Sequence, residues 1–255
     1  MTKTKHKIFY RATAVLLALV LLLGLFAGCE SEKQPATENP PVYTPAVTET
    51  AAPQDNYVEI AGEQVSRDVT TCEIENRDLS DDDLVRLASL SKLEHLTIRQ
   101  CNLQNIAPLA ALTNLTELDL ESTLIDDISP LANLTNLTRL SLYDNQIADL
   151  SPLAGLTNLT NLVLSRNPIT DLSPLAGLTN LTRLSLYDSQ IADLSPLAGL
   201  ANLTDLALSN NQISDISTLA GLTDLYEVFL TGNPLTQQQI DDLQAVLPDC
   251  NIHFT

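Results

Sequence analysis

The stretch LTNLTRLSLYD occurs at Leu134–Asp144 and again, letter for letter, at Leu178–Asp188. The copies lie 44 residues apart, two periods of 22, and the intervening copy from Leu156 differs chiefly in its last letters. A unit this short cannot bury its own apolar face, so neighbouring copies must stack. In LTRLSLYDNQIADLSPLAGLTN, starting at Leu137, the apolar positions are Leu137, Leu140, Leu142, Ile147, Leu150, Leu153 and Leu156. The same pattern starts at Val69, in a longer unit of 24 residues, then at Leu93, Leu115, Leu137, Leu159, Leu181, Leu203 and Leu225, with a partial turn from Leu247. LxL places alternate leucines on one face of a short strand, Leu140 and Leu142 for example, while Arg139, Ser141 and Tyr143 point the other way. One strand per unit, stacked about 4.8 Å apart, gives a continuous core.

These units resemble the leucine-rich-repeat family. The 22-residue period with NQIxDLSPLAGLTNLTxLxL is similar to the internalin type found on bacterial surfaces. The resemblance covers Val69 to Thr255 and implies an α/β solenoid, a horseshoe with parallel strands on its concave face and short 3₁₀ turns on its convex face. Composition agrees: 44% of residues are hydrophobic but only 4% are aromatic, as stacked layers of leucine and isoleucine require.

Several local features follow from the letters. Asn145, Asn167, Asn211 and Asn233 fall just after the strand, where an inward amide bonds the backbone of adjacent coils; Arg77, Cys101, Thr123 and Ser189 hold that slot elsewhere. In Asp-Leu-Ser-Pro, Ser151 and Ser173 are expected to cap the short turn, with Pro152 and Pro174 at its first position and Gly155, Gly177, Gly199 and Gly221 as left-handed residues ending it. The column Asp127, Asp149, Asp171, Asp193, Asp215 either accepts backbone N–H bonds at the start of that turn or binds calcium. The NLT triplets read as repeat letters rather than glycosylation acceptors. Ser80 before DDDLVRLASL and Thr236 in TQQQIDDLQAVL start helices that close the two ends.

The chain divides into a lipoprotein signal peptide at 1–28, a disordered tether rich in Pro, Thr and Glu at 29–56, an N-terminal cap with the first repeat at 57–92, repeats at 93–235 and a C-terminal cap at 236–255. Basic residues, an apolar run from Ala12 to Ala27 and small residues before Cys29 have the order of a secretory signal. Its tail LFAGC resembles a bacterial lipobox, which implies lipid attachment at Cys29; an uncleaved membrane anchor is the alternative. The tether could extend roughly 80 Å at most. YVEIAGEQV, Tyr57–Val65, reads as a hairpin covering the first exposed edge of the repeats. Cys72, Cys101 and Cys250 have no metal-ligand spacing and read as buried free thiols.

The formal charge of the chain is -19, and residues 1–28 contribute four basic side chains and no acid. Such a surface repels nucleic acid and leaves the N-terminal lipid as the only membrane contact. His95 and His253 lie seven coils apart, roughly 34 Å, too far to share a catalytic site. No hydrolase, zinc-protease or phosphate-loop motif is present, so the chain reads as a non-enzyme needing no cofactor or metal. Binding is the better reading, because outward strand positions vary while inward ones do not. Among these outward residues Arg139, Tyr143, Asp144, Arg166, Arg183, Tyr187, Asp188 and Phe229 are the candidates for contact with a protein or peptide ligand by a monomer. Tyr143 and Tyr187 are expected to wall a shallow slot over Ser165. The alternatives are that each arginine only pairs with a neighbouring acid, and that the horseshoe is a spacer or binds wall glycan.

Overall fold

The computed structural model describes residues 9–11, 56–103 and 105–254, the first three as backbone only. Cys29, its preceding apolar run and the tether up to Asp55 lie outside the described residues. Phe9–Arg11 (β1) runs antiparallel to the first strand of the array. Tyr57–Ile60 (β2) and Glu63–Ser66 (β3) form a hairpin of their own. Then come nine parallel strands in sequence order: Thr71–Glu75 (β4), His95–Arg99 (β5), Glu117–Glu121 (β6), Arg139–Ser141 (β7), Asn161–Val163 (β8), Arg183–Ser185 (β9), Asp205–Ala207 (β10), Glu227–Phe229 (β11) and Asn251–His253 (β12). Six 3₁₀ turns, beginning with Ala107–Ala111 and ending with Ser217–Gly221, stand between them. Asp81–Ala88 (α1) and Gln237–Val246 (α2) occupy the two ends.

All seven apolar positions of the Leu137 unit are buried, and their equivalents join one core from the hairpin to Cys250. Both helices start where expected. The Ser80 hydroxyl accepts the Asp83 N–H, and Asp83 in return accepts the Ser80 N–H at 3.0 Å. Thr236 and Gln239 make the same reciprocal pair. No helix among the described residues is long and apolar enough to cross a membrane.

The hairpin corrects one expectation. It turns at Ala61 and Gly62, both left-handed, and buries Val58, Ile60 and Val65 against the end of the core. Its strands pair with each other and not with β4, so it covers the open end of the leucine stack rather than a strand edge.

Polar ladders run between coils. The Asn167 amide donates to the Leu142 and Leu164 carbonyls, both at 2.9 Å, and its oxygen accepts the Ile147 N–H at 3.0 Å. Asn145, Asn211 and Asn233 repeat the arrangement, and Thr123 and Cys101 donate to backbone carbonyls from the same slot. The NLT letters form further ladders. Asn158 donates to Thr135 O at 2.8 Å and Thr160 to Thr138 O at 3.1 Å, each one coil back.

Ser189 is the exception: its hydroxyl oxygen is buried without a partner. Asparagine there would reach the Leu164 and Leu186 carbonyls at the sequence offsets that Asn167 uses. Ser189→Asn is therefore expected to stabilise the fold by about 1 kcal/mol, a rise in Tm of about 2–4 °C by calorimetry.

The return path differs from the capping reading. Ser151 and Ser173 are the first residues of their 3₁₀ turns, with Pro152 and Pro174 second, and neither serine caps. The aspartates do this instead. Asp127, Asp149, Asp171, Asp193 and Asp215 each accept the N–H of the serine two residues on, at 2.8 Å in every coil. Among the described residues no group of three His, Cys, Asp or Glu could hold a metal ion. The glycines after these turns are not left-handed either, because the turns run on through right-handed residues such as Ala154.

Left-handed residues follow the strands instead: Asn76, Gln100, Ser122, Asp144, Arg166, Asp188, Asn210 and Gly232, with Leu124 a second one after β6. A β-carbon on Gly232 would meet the Asn210 side chain at 2.1 Å, and glycine avoids that clash.

Bonds from the serine two residues on hold the carboxyls of Asp127, Asp171 and Asp215 below the usual carboxylate range, from its N–H first and its hydroxyl second at Asp127 and Asp215, and from its hydroxyl first at Asp171. A carboxyl with a lowered folded-state pKa contributes stability that is present above its unfolded value and is lost as pH falls through the folded one. Melting temperature should thus decline as pH drops below about 4. Replacing these aspartates by asparagine should flatten that decline in thermal scans from neutral to acid pH.

Candidate functional site

Parallel pairing puts the outward residues in straight columns. Glu117, Arg139, Asn161, Arg183, Asp205 and Glu227 are register partners from strand to strand, and so are Asp119, Ser141, Val163, Ser185, Ala207 and Phe229. The sheet thus presents every candidate ligand-contact residue on or beside its concave face, divided into a rim cluster and a floor.

The rim cluster follows the strands β7 to β9. Arg166 lies in the left-handed region with φ 57°, where the β-carbon crowds the following carbonyl oxygen at a cost of roughly 1–2 kcal/mol. Its guanidinium stands 5.4 Å from the centre of the Tyr143 ring and 3.3 Å from Asp188. The Tyr143 and Tyr187 rings touch, with centroids 6.0 Å apart and tilted by 49°. Burial and the neighbouring Tyr143 hydroxyl push the Tyr187 phenol up to about 12. Asp144 accepts from Ser122, and Asp188 also accepts from Asn210.

These contacts correct the expected slot. Ser165 is fully buried, bonding the Ser185 hydroxyl at 2.7 Å and accepting the Tyr187 N–H at 3.0 Å. The rings lean together across it and form a platform, not two walls.

Each arginine does pair with an acid: Arg139 with Glu117 at 3.5 Å and Arg183 with Asp205 at 3.6 Å. Yet their side chains remain 57% and 64% exposed, so such pairs contribute little to stability and leave the guanidiniums accessible. Pairing and accessibility coexist at Arg166 as well, half exposed beside Asp188.

The floor has two adjoining hollows. One, of about 320 Å³, is lined by residues that include His95, Arg99, Glu117, Asp119, Arg139 and Val163. The other, of about 220 Å³, is lined by Val163, Ala207 and Phe229 with Asn161, Arg183, Ser185 and Asp205.

Two contributors are missing from the candidates read in the sequence. Arg99 is the hub of three carboxylates, at 2.6 Å from Asp119, 3.3 Å from Glu121 and 3.6 Å from Glu75. These carboxylates, Asp119 foremost, raise its pKa. The opposite charges on either side of Arg99 in its column were the available signal. His253 stacks on Phe229, rings 4.3 Å apart and 8° from parallel, with its Nε2 3.0 Å from Glu227. It escapes a 22-residue count because β12 is in register with β11 at an offset of 24, from Phe229 to His253.

Cys72, Cys101 and Cys250 are buried free thiols, and burial pushes the Cys72 thiol up to about 12. None belongs to the site.

With this geometry in place, the chain can be set beside known proteins. Leucine Rich repeats (2 copies) match residues 91–133, 135–177, 157–199, 179–220 and 201–245. No curated protein sequence matches significantly. Among solved structures, an internalin (InlF) from Listeria monocytogenes is 37% identical with a TM-score of 0.65, over 71% of this chain and 56% of that one. An internalin C2 from the same species is 35% identical with a TM-score of 0.67, over 76% of this chain and 86% of that one. A leucine-rich-repeat protein of Leptospira interrogans is 30% identical with a TM-score of 0.62, over 67% and 45%. The chain thus spans little more than half of the first internalin. Repeats matched along residues 91–245, a parallel sheet carrying one strand per coil and this likeness to two internalins make the chain a member of the leucine-rich-repeat family, of the internalin type.

Proposed function

We propose that this chain is an extracytoplasmic binding module, lipid-anchored to a bacterial membrane through Cys29, that holds a protein or peptide ligand on its concave face as a monomer. The observation that carries the reading is the contrast between faces of one sheet. Inward positions are leucine, isoleucine or valine in nearly every coil, whereas outward ones present arginine, tyrosine, phenylalanine and acids around two open hollows. Tyrosine and arginine carry a disproportionate share of interface energy. The lipobox-like LFAGC and the internalin likeness support the surface location.

Affinity capture from the native cell envelope tests this. The wild type should retain a defined protein that a Phe229→Asp variant of unchanged melting temperature loses. Retention of wall polysaccharide alone would favour the glycan-binding alternative. For the anchor, Cys29→Ala should shift the protein from the membrane to the soluble fraction; unchanged partitioning contradicts it.

A further inference from the structure

We infer that the concave face takes an extended, cationic segment of a partner protein, with one apolar side chain seated on Phe229 and its basic side chains lying over strands β5 to β7. The inference rests on the concave face being the binding face and adds the chemistry of what binds there.

The apolar hollow comes first. Val163, Ala207 and Phe229 share one column of consecutive outward positions, with only Ser185 among them. They leave about 220 Å³ open on a sheet whose other outward residues are polar or charged. The Phe229 ring is fixed by its stack on His253, which Glu227 holds in turn, so this wall is already ordered before anything binds. A leucine- or phenylalanine-sized group would remove its apolar surface from water without rearrangement.

Charge then selects the partner. At the other end of the same face, Arg99 is shared by Glu75, Asp119 and Glu121, one cation among three anions. Glu117 faces both Arg139 at 3.5 Å and His95 at 3.5 Å. The excess is negative, as it is over the whole chain at -19. Low-dielectric walls of a cleft concentrate such a field, so basic segments are drawn to this end and acidic ones repelled.

The two ends set a spacing. Asp119 on β6 and Ala207 on β10 stand four strands apart, about 19 Å at ordinary sheet spacing. An extended segment crossing the strands at about 3.3 Å per residue would separate its basic and apolar side chains by about six residues.

A displayed library of random 12-residue peptides, selected on the full-length protein, tests both parts. The expected consensus carries lysine or arginine in one half and a large apolar residue about six positions away. A synthetic peptide of that consensus should bind at least ten-fold more weakly to Phe229→Asp, and to Glu117→Gln with Glu121→Gln. Its binding should also fall about ten-fold as salt rises from low to about 0.5 M. An acidic or uncharged consensus whose binding is still lost in Phe229→Asp overturns the cationic partner and leaves the concave face standing. A consensus indifferent to all three substitutions overturns the concave face with it. No enrichment over the bare support also counts against the cationic segment.

Discussion

Asn167→Ala is expected to destabilise the protein by about 2–4 kcal/mol, a fall in Tm of about 6–12 °C for an array of this size. The side chain is 3% exposed and joins two coils through bonds to Leu142, Leu164 and Ile147. Alanine strips the Ile147 N–H of its acceptor, removes one partner from each carbonyl and opens a hole the width of an amide. Because each coil contacts only its neighbours, a defect in the middle of the stack weakens the coupling of its two halves. Asn158→Ala is the control. Its amide is exposed and makes one bond, to Thr135, so water can replace it and Tm should move by no more than about 2 °C. Equal effects of the two substitutions in thermal denaturation would mean that the buried ladder is not what holds the coils in register.

The second large effect is on binding. Tyr143→Ala with Tyr187→Ala should weaken capture of the partner by about ten-fold or more while lowering stability by only about 1 kcal/mol. The rings lie outside the leucine core, and their contacts are with each other and with Arg166. Removing both deletes the aromatic platform and frees the guanidinium from its ring. Arg166→Asn separates the contributions. Asparagine tolerates the left-handed backbone better than arginine, so stability should rise slightly while binding falls. A variant with higher Tm and undiminished affinity would show that Arg166 stays for some other reason.

The coil itself could be read from letters, and the side chains upon it only in part. Seven apolar positions at a fixed period leave one way to bury them, so the stack, the strand register and the inward asparagines followed directly. Ser80 and Thr236 were legible because each is followed three residues later by a side chain that closes the capping box. The turn after Asp149 was legible only in part: the aspartate column was expected to accept backbone N–H bonds there and does, but Ser151, also a capping residue, is not the cap it was expected to be. The chain uses the aspartate and lets the serine donate. The left-handed residue was sought at Gly155 because glycine adopts it freely, but the coil bends that way just after the strand, at Asp144 and Arg166. At the site, register placed Tyr143 and Tyr187 two strands apart, and ring orientation, which closes the gap between them, is a matter of rotamers that no repeat pattern encodes. The lengthened last unit, which carries α2, hid the stacking of His253 on Phe229.

The most direct test of a concave binding face is hydroxyl-radical footprinting of the side chains with the captured partner bound and absent. Tyr143, Tyr187 and Phe229 should lose reactivity on binding, while Tyr226 and Val246, exposed at 63% and 55% outside the concave columns, should stay as reactive as before. Protection of Tyr226 or Val246 with Phe229 and the two tyrosines unchanged would contradict it.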